Sequence, residues 1–287
     1  MTEKIIEIRK GDKLYPEALQ FVLPEVKRLY CLGNTALLKK PAAAVVGSRK
    51  CSEYGKKTAM TIGSALARAG IPVVSGMAKG IDNFAHQGTL RAGGQAVAVL
   101  GCGVDICYPA ENRKLYERLL AEGLILSEYP PGTKPMPYMF PQRNRIIAGL
   151  SEAVCIVEAG TGSGALITAE LAAEQGKTVF AVPGNITSPW SLGTNKLIAD
   201  GAQPLVVVED LVRALGGIPV SEESRRADLS ETEQQVLQIL EKEGEVSLEF
   251  LCRALSKNPV DMNGIVMILE MKGYIAVNFG KIFIANF

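Results

Sequence analysis

Short apolar runs that close on a glycine and open into a stretch with helical spacing recur along the first two thirds of this chain. The run at 42–46 meets Gly47, Ser48 and Arg49. Ser52 then reads as an N-cap, and Tyr54, Thr58, Ile62, Leu66 and Ala69 follow on one helical face. Gly70 ends that helix just before Pro72. IPVVSGMAKG puts Ser75 and Gly76 at the end of a second strand, and AVAVLGCGVD puts Gly101 and Gly103 in the same relative place. The strand at 154–157 opens into Gly160, Gly162, Ser163 and Gly164 before another helix, and further strands are expected at 178–182 and 205–208. Strand, Gly-rich turn and helix in repetition predict an α/β fold with a doubly wound, mostly parallel sheet. Such sheets bind ligands beyond the carboxyl ends of their strands, where these turns gather.

A second pattern stands out in FPQRNRIIAGLS, residues 140–151. Phe140, Arg143, Asn144 and Arg145 lie at the front of an apolar helical run that follows a proline-rich loop. Pro141 suits a first helical turn, where its missing N–H has no partner to lose. The free N–H groups of such a turn attract anions, and adjacent guanidiniums favour phosphate. Lys134 lies in the preceding loop, and Tyr138 and Phe140 are candidates for base stacking as well as for packing within that loop. The Gly47–Ser48 turn is a candidate anion nest, and Ser163 with Gly164 a candidate backbone anion site.

Composition narrows the reading. A length of 287 residues suggests two domains, and 47% apolar residues allow a sizeable core. With a net charge of only +1, any nucleic-acid site must be a local positive pocket and not a global field. The six cysteines form no CxxC pair, which disfavours both a zinc site and a disulfide scaffold. No apolar run is long enough to span a membrane and the N-terminus is too polar for a signal peptide, so a soluble cytoplasmic protein is expected. GTGSGALITAE lacks the Gly-Lys-Ser/Thr ending of an ATP loop, and the first turn lacks GxGxxG, so no nucleotide cofactor is expected. His86 reads as a helix histidine that satisfies a local hydrogen bond, since no activated nucleophile stands near it in sequence.

Six ordered blocks carry a resemblance to a known family: GSRKCSEYG, SGMAKGIDNFAHQGTL, GCGVDICYPAENRKLYERL, FPQRNRIIAGLS, SGALITAELAAEQGKTVFAVPGN and GTNKLIADGA. In this order they resemble the DNA-processing protein A family (DprA, also called Smf). The resemblance implies an extended Rossmann-like fold that binds single-stranded DNA and no dinucleotide, loads the RecA recombinase and serves natural transformation. It is a non-enzymatic role with no metal. It places the DNA pocket on Gly47, Ser48, Arg49, Lys134, Phe140, Arg143, Asn144 and Arg145. The βα turns add Ser75, Gly76, Gly101, Gly103, Ser163 and Gly164 as candidate contacts. It also implies a homodimer with the segment SLGTNKLIADGA in or beside the contact. The rival reading is a nucleoside-monophosphate phosphoribohydrolase on a related fold, with Glu158 or Glu170 as its acidic group; a bare nucleotide sensor is a third.

The expected organisation is an N-terminal extension to residue 40, the Rossmann-like domain over 41–217, a linker over 218–228 and a small domain over 229–287. In the last part, Ser230 and Glu233 are placed for a capping box ahead of Val236, Leu237 and Leu240. Three short helices and a hairpin, 275–278 and 281–284, resemble the winged-helix domain of the same family. Its third helix, VDMNGIVMILEMKG, offers only Lys272 as a cation against Asp261 and Glu270, so protein contact or regulation is favoured over groove reading.

Overall fold

The computed structural model describes residues 4–219, 229–272, 274–278 and 280–284, and the chain divides into two compact units, Met1–Pro219 and Val220–Phe287. In the larger unit, β1 (Ile6–Arg9), β2 (Arg28–Gly33), β3 (Ala43–Val46), β4 (Val73–Ser75), β5 (Ala96–Leu100), β6 (Leu124–Ser127), β7 (Ala153–Ile156), β8 (Thr178–Ala181) and β9 (Gln203–Pro204) form one nine-stranded sheet. The spatial order is β1-β2-β6-β5-β4-β3-β7-β8-β9. β1 and β2 pair antiparallel with each other, as do β2 and β6, and every other pairing is parallel. From β3 the chain builds outward through β4, β5 and β6 on one side, then returns to β7 and builds outward on the other. The junction of β3 and β7 is therefore the topological switch point, where a crevice opens beyond the strand ends.

The central strands are apolar on both faces because helices cover both. Ala43 and Val45 pack with Ile62 and Leu66 of α1 (Glu53–Arg68), on the face that also takes α2 (Ile81–Arg91). Ala44 and Val46 point the other way, toward Ile147 of α4 (Met139–Gly149) and Ala169 of α5 (Gly164–Glu174). Each fully buried aliphatic side chain contributes about 1.5–3 kcal/mol, so this two-sided core dominates the fold. α3 (Arg113–Glu122) buries Leu115 and Leu119 against β5 and β6. Ser52 caps α1, its Oγ accepting from the Gly55 N–H at 3.1 Å, as its position before the periodic run predicts.

Two sequence expectations shift. The segment 205–208 is not a strand: the edge strand is the short β9, and Val208 starts α7 (Val208–Ala214). Glu209 and Asp210 favour the first turn of a helix, and Leu211 and Val212 are the residues it buries. The residues read as an extension supply β1 and β2 to the same sheet, and β6 between them and β5 carried no turn signal strong enough to single it out.

The smaller unit holds α8 (Glu231–Glu243), β10 (Glu245–Ser247), α9 (Leu248–Ala254), α10 (Pro259–Met271), β11 (Ile275–Asn278) and β12 (Lys281–Ile284). The three strands make an antiparallel sheet in the order β10-β12-β11, one strand more than the expected hairpin. The capping box of α8 is formed, with Ser230 and Glu233 bonded reciprocally. Val236, Leu240, Leu251, Met262 and Leu269 centre its own core. Residues 220–228 of the expected linker lie outside the described residues.

Candidate nucleic-acid interface

At the switch point lies a crevice of about 560 Å³, walled by 46–50 after β3, by the start of α4 and by 160–165 after β7. Gly47, Ser48, Arg49, Phe140, Arg143, Asn144, Ser163 and Gly164 all line it, so the structure brings together the core of the sequence-expected set.

The cations of that set divide by what already holds them. Arg49 is exposed on the rim, with its guanidinium carbon 5.2 Å from the centroid of the Phe140 ring. Arg143 is 5% exposed: its Nη1 donates to the carbonyls of Gly76 (2.8 Å) and Val99, and its Nε to Asn144 Oδ1 (3.2 Å). Burial pulls its pKa down to about 10, with Asp82 acting against that fall and Arg49 adding to it; it remains charged at neutral pH. Burial pushes the Asp82 carboxyl up, opposed by Arg143 and by the N–H groups of Ala78 and Gly76. Arg143 is thus the floor of the crevice, anchored to strand ends. Gly76 makes this possible, because a Cβ there would sit 2.3 Å from Arg143 Nη1.

Arg145 departs from the expected pocket. It points away from the crevice wall, bonded to both carboxylate oxygens of Glu128 (2.7 and 2.9 Å) and to the Pro24 carbonyl (2.9 Å). One helical position separates Arg143 from Asn144 and two separate it from Arg145, so α4 turns the two arginines to different faces. At the Gly47–Ser48 turn, expected as a nest, one amide is already engaged. The Ser48 N–H donates to the Glu158 carbonyl (2.7 Å), and the Lys50 N–H to Ser48 Oγ (3.3 Å).

The loop after β7 is different. Among the described residues, no protein acceptor meets the N–H groups of Thr161, Gly162 or Gly164. Gly162 has φ +77, a left-handed turn that suits glycine, and Ser163 Oγ caps α5 by accepting from the Ala165 N–H at 3.3 Å. Free amides at the start of an 11-residue helix favour an anion. Asn144 ties this loop to α4 through its Nδ2, which donates to the Gly164 carbonyl at 3.2 Å.

The remaining expected residues support the site from outside the crevice. Ser75 is fully buried, its Oγ donating to the Val45 carbonyl at 2.7 Å. Gly101 lies against the Phe140 ring, where a Cβ would come within 2.9 Å of Cδ1. The Gly103 N–H donates to the Thr133 carbonyl at 2.9 Å, and Gly132 donates to Asp105, which laces two loops together. Lys134 sits exposed in the second of these loops and does not line the crevice. Sequence reading missed Tyr108, whose ring stacks on Phe140 at 5.4 Å and 29°; only the three-dimensional meeting of the two loops could reveal it.

Two further residues read differently in place. Glu158 is 2% exposed, its Oε2 accepting from the Ser52 N–H (2.9 Å) and its Oε1 from the Ser52 hydroxyl (2.5 Å). It anchors the start of α1 from 106 residues away. Glu170 is exposed on α5. His86 does not satisfy a local hydrogen bond as expected: it is fully buried with both ring nitrogens unpartnered, because α2 faces it into the core. Burial, then the nearby Arg143, lowers its pKa to about 3, so it stays neutral. All six cysteines are free, no metal-holding cluster occurs among the described residues, and no helix there is long and apolar enough to cross a membrane.

Similarity to known proteins follows this geometry. The chain is 43% identical over 201 residues to DNA processing protein DprA of Streptococcus pneumoniae, covering 70% of this chain and 71% of that one. It is 40% identical over 229 residues to Protein Smf of a Synechocystis strain, covering 78% of this chain and 58% of the relative's length. The pneumococcal crystal structure superposes with a TM-score of 0.70 at 42% identity, over 73% of this chain and 74% of that one. DNA processing protein A of Helicobacter pylori, solved for its single-stranded DNA binding mode, gives 0.66 at 32% identity, over 75% and 96%. The sheet, its switch-point crevice and a family model matching residues 7–216 agree: the chain belongs to the DNA recombination-mediator protein A family.

Proposed function

We propose that the chain binds single-stranded DNA in the switch-point crevice and acts as a recombination mediator without catalysing a reaction of its own. The observation that carries this reading is the division of donors around the crevice. Arg49 and the amides of Thr161, Gly162 and Gly164 face it without protein acceptors, while Arg143 and Arg145 are already held. A few local phosphate contacts beside aromatic rings suit a flexible strand with exposed base faces better than a stiff duplex. The single-stranded DNA binding mode of the Helicobacter pylori relative supports the same choice.

The phosphoribohydrolase reading lacks a poised acid, since the Glu158 carboxylate is fixed by Ser52 and Glu170 lies on the exposed side of α5. Loading of RecA onto the bound strand, a role in natural transformation and a cytoplasmic location follow from family membership as parts of the same proposal. So does a homodimer with 191–202 in or beside the contact, a segment next to which Ile186, Trp190 and Val206 leave apolar surface exposed. For the smaller unit we infer a winged-helix fold serving protein contact, consistent with Val260, Met267 and Met271 exposed on α10.

The test is fluorescence anisotropy of labelled single-stranded and duplex oligonucleotides at two salt concentrations. Tighter, salt-dependent binding of the single strand is expected, and equal affinity for both would overturn the reading.

A further inference from the structure

The Phe140 ring sits between groups that leave it little room for a base. The Arg49 guanidinium lies over it at 5.2 Å, the backbone at Gly101 abuts its edge, and the Tyr108 ring stacks on it at 5.4 Å. Tyr108, in contrast, is 43% exposed. Most tyrosines of this domain are tied by their hydroxyls: Tyr15 to the Val26 carbonyl, Tyr54 to Pro183, Tyr116 to Val104 and Tyr129 to Gln142. Tyr108 meets the protein through its ring instead. Its loop is held rigid, with Ile106 bonded back to Gly103 and Asp105 gripping the Gly132 N–H at 2.9 Å. A ring fixed in place, half exposed and stacked on a second ring beside a phosphate-type crevice has the properties of a base platform.

We propose that Tyr108 is the nucleobase platform of this site, with Phe140 as its inner support; this rests on the reading of the crevice as a single-strand site. The backbone of the strand lies against Arg49 and the loop after β7, and one base leaves the crevice to stack on the outer face of Tyr108. The stack then runs Phe140, Tyr108, base. Stacking of this kind tolerates any base, because each has a π-face.

The test uses the full chain with Tyr108→Phe, Tyr108→Leu and Arg49→Ala, and a labelled oligothymidylate carrying one 2-aminopurine at successive positions. Tyr108→Phe should bind as the parent does and quench the 2-aminopurine equally. Tyr108→Leu should bind about five- to a hundredfold more weakly and lose the quenching at one position. Should Tyr108→Leu melt early, the unmodified protein is titrated with oligonucleotides bearing a single abasic site, and one position should show a loss of the same size. If Tyr108→Leu binds and quenches like the parent while Arg49→Ala weakens binding, the platform is wrong and the crevice reading stands. The same holds if no abasic position matters. If the parent itself ignores single strands, the crevice reading fails first and the platform with it.

Discussion

Arg49 and Arg143 look onto the same crevice under different obligations. The exposed Arg49 guanidinium lies over the Phe140 ring, so Arg49→Ala should leave the melting temperature nearly unchanged. Its loss should weaken single-strand binding by roughly 1.5–3 kcal/mol and reduce the slope of log affinity against log salt by about 0.7, as anisotropy at several salts will measure. Arg143→Ala removes the nearby positive charge that favours ionisation of buried Asp82 and leaves two carbonyls without their donor. A destabilisation of about 2–5 kcal/mol in chemical denaturation is expected, from leaving buried acceptors unsatisfied. Arg145→Ala should also lower stability, through Glu128 and Pro24, but with an unchanged salt slope in whatever remains folded. The thiols offer a check on packing at the same scale. Burial pushes Cys31 and Cys155 up to about 12 and Cys102 up to about 11. A thiol reagent at pH 8 should therefore spare these three in the native protein and reach them only on unfolding.

Among elements, α1 was the most legible: Ser52 and Gly70 mark its start and end, and the helix spans Glu53–Arg68. Of the expected face, however, only Ile62 and Leu66 are buried, while Tyr54 is exposed and Gly55, Ala59 and Gly63 turn inward instead. What the sequence withheld is the partner that fixes that start, because Glu158 arrives on β7's loop from far along the chain. The arginines of α4 were visible as a cluster, but a helix turns neighbours to different faces, and which face meets the sheet depends on packing. The helix start after Gly160, Gly162 and Gly164 was legible from those glycines, and its amides stand without protein acceptors; the bond from the Ser48 N–H to the Glu158 carbonyl was not legible. The α8 capping box was readable from Ser230 and Glu233 alone, but its extension to Lys272 Nζ, 2.7 Å from Glu233 Oε1, needed the fold. Burial opposes ionisation of Glu233, yet Lys272 and Ser230 outweigh it and its pKa falls below the ordinary 4.5. A depressed folded value means the contribution is complete above pH 4.5 and is lost as pH falls through the folded value. In acid titrations followed by denaturation, Glu233→Gln should flatten the loss of stability of the smaller unit below pH 4.5, and an unchanged acid limb would show the pair to be inert.

For the whole molecule, every donor assigned to the crevice lies in the larger unit, and the smaller unit has its own core. A chain ended after residue 219 should therefore remain folded and bind single strands within about tenfold, or 1.4 kcal/mol, of the full chain. A larger loss would make the smaller unit part of the site. The place of the first 40 residues in the sheet was not readable from the sequence. Antiparallel β1 and β2 join the sheet through β6, a pairing set by contacts distant in sequence.

The far edge of that sheet limits how copies of the chain can meet. β9 is two residues long, ends in Pro204 and is followed directly by the turn into α7. Proline has no N–H to offer a neighbouring strand, and two residues give no ladder to extend. This side is therefore closed to strand addition, which also guards it against runaway edge-to-edge growth into fibres. Any pairing of two copies on this flank must be made by side chains across helices and loops. Such a contact is open to single substitutions, and it can separate without unravelling the sheet that holds the crevice in shape.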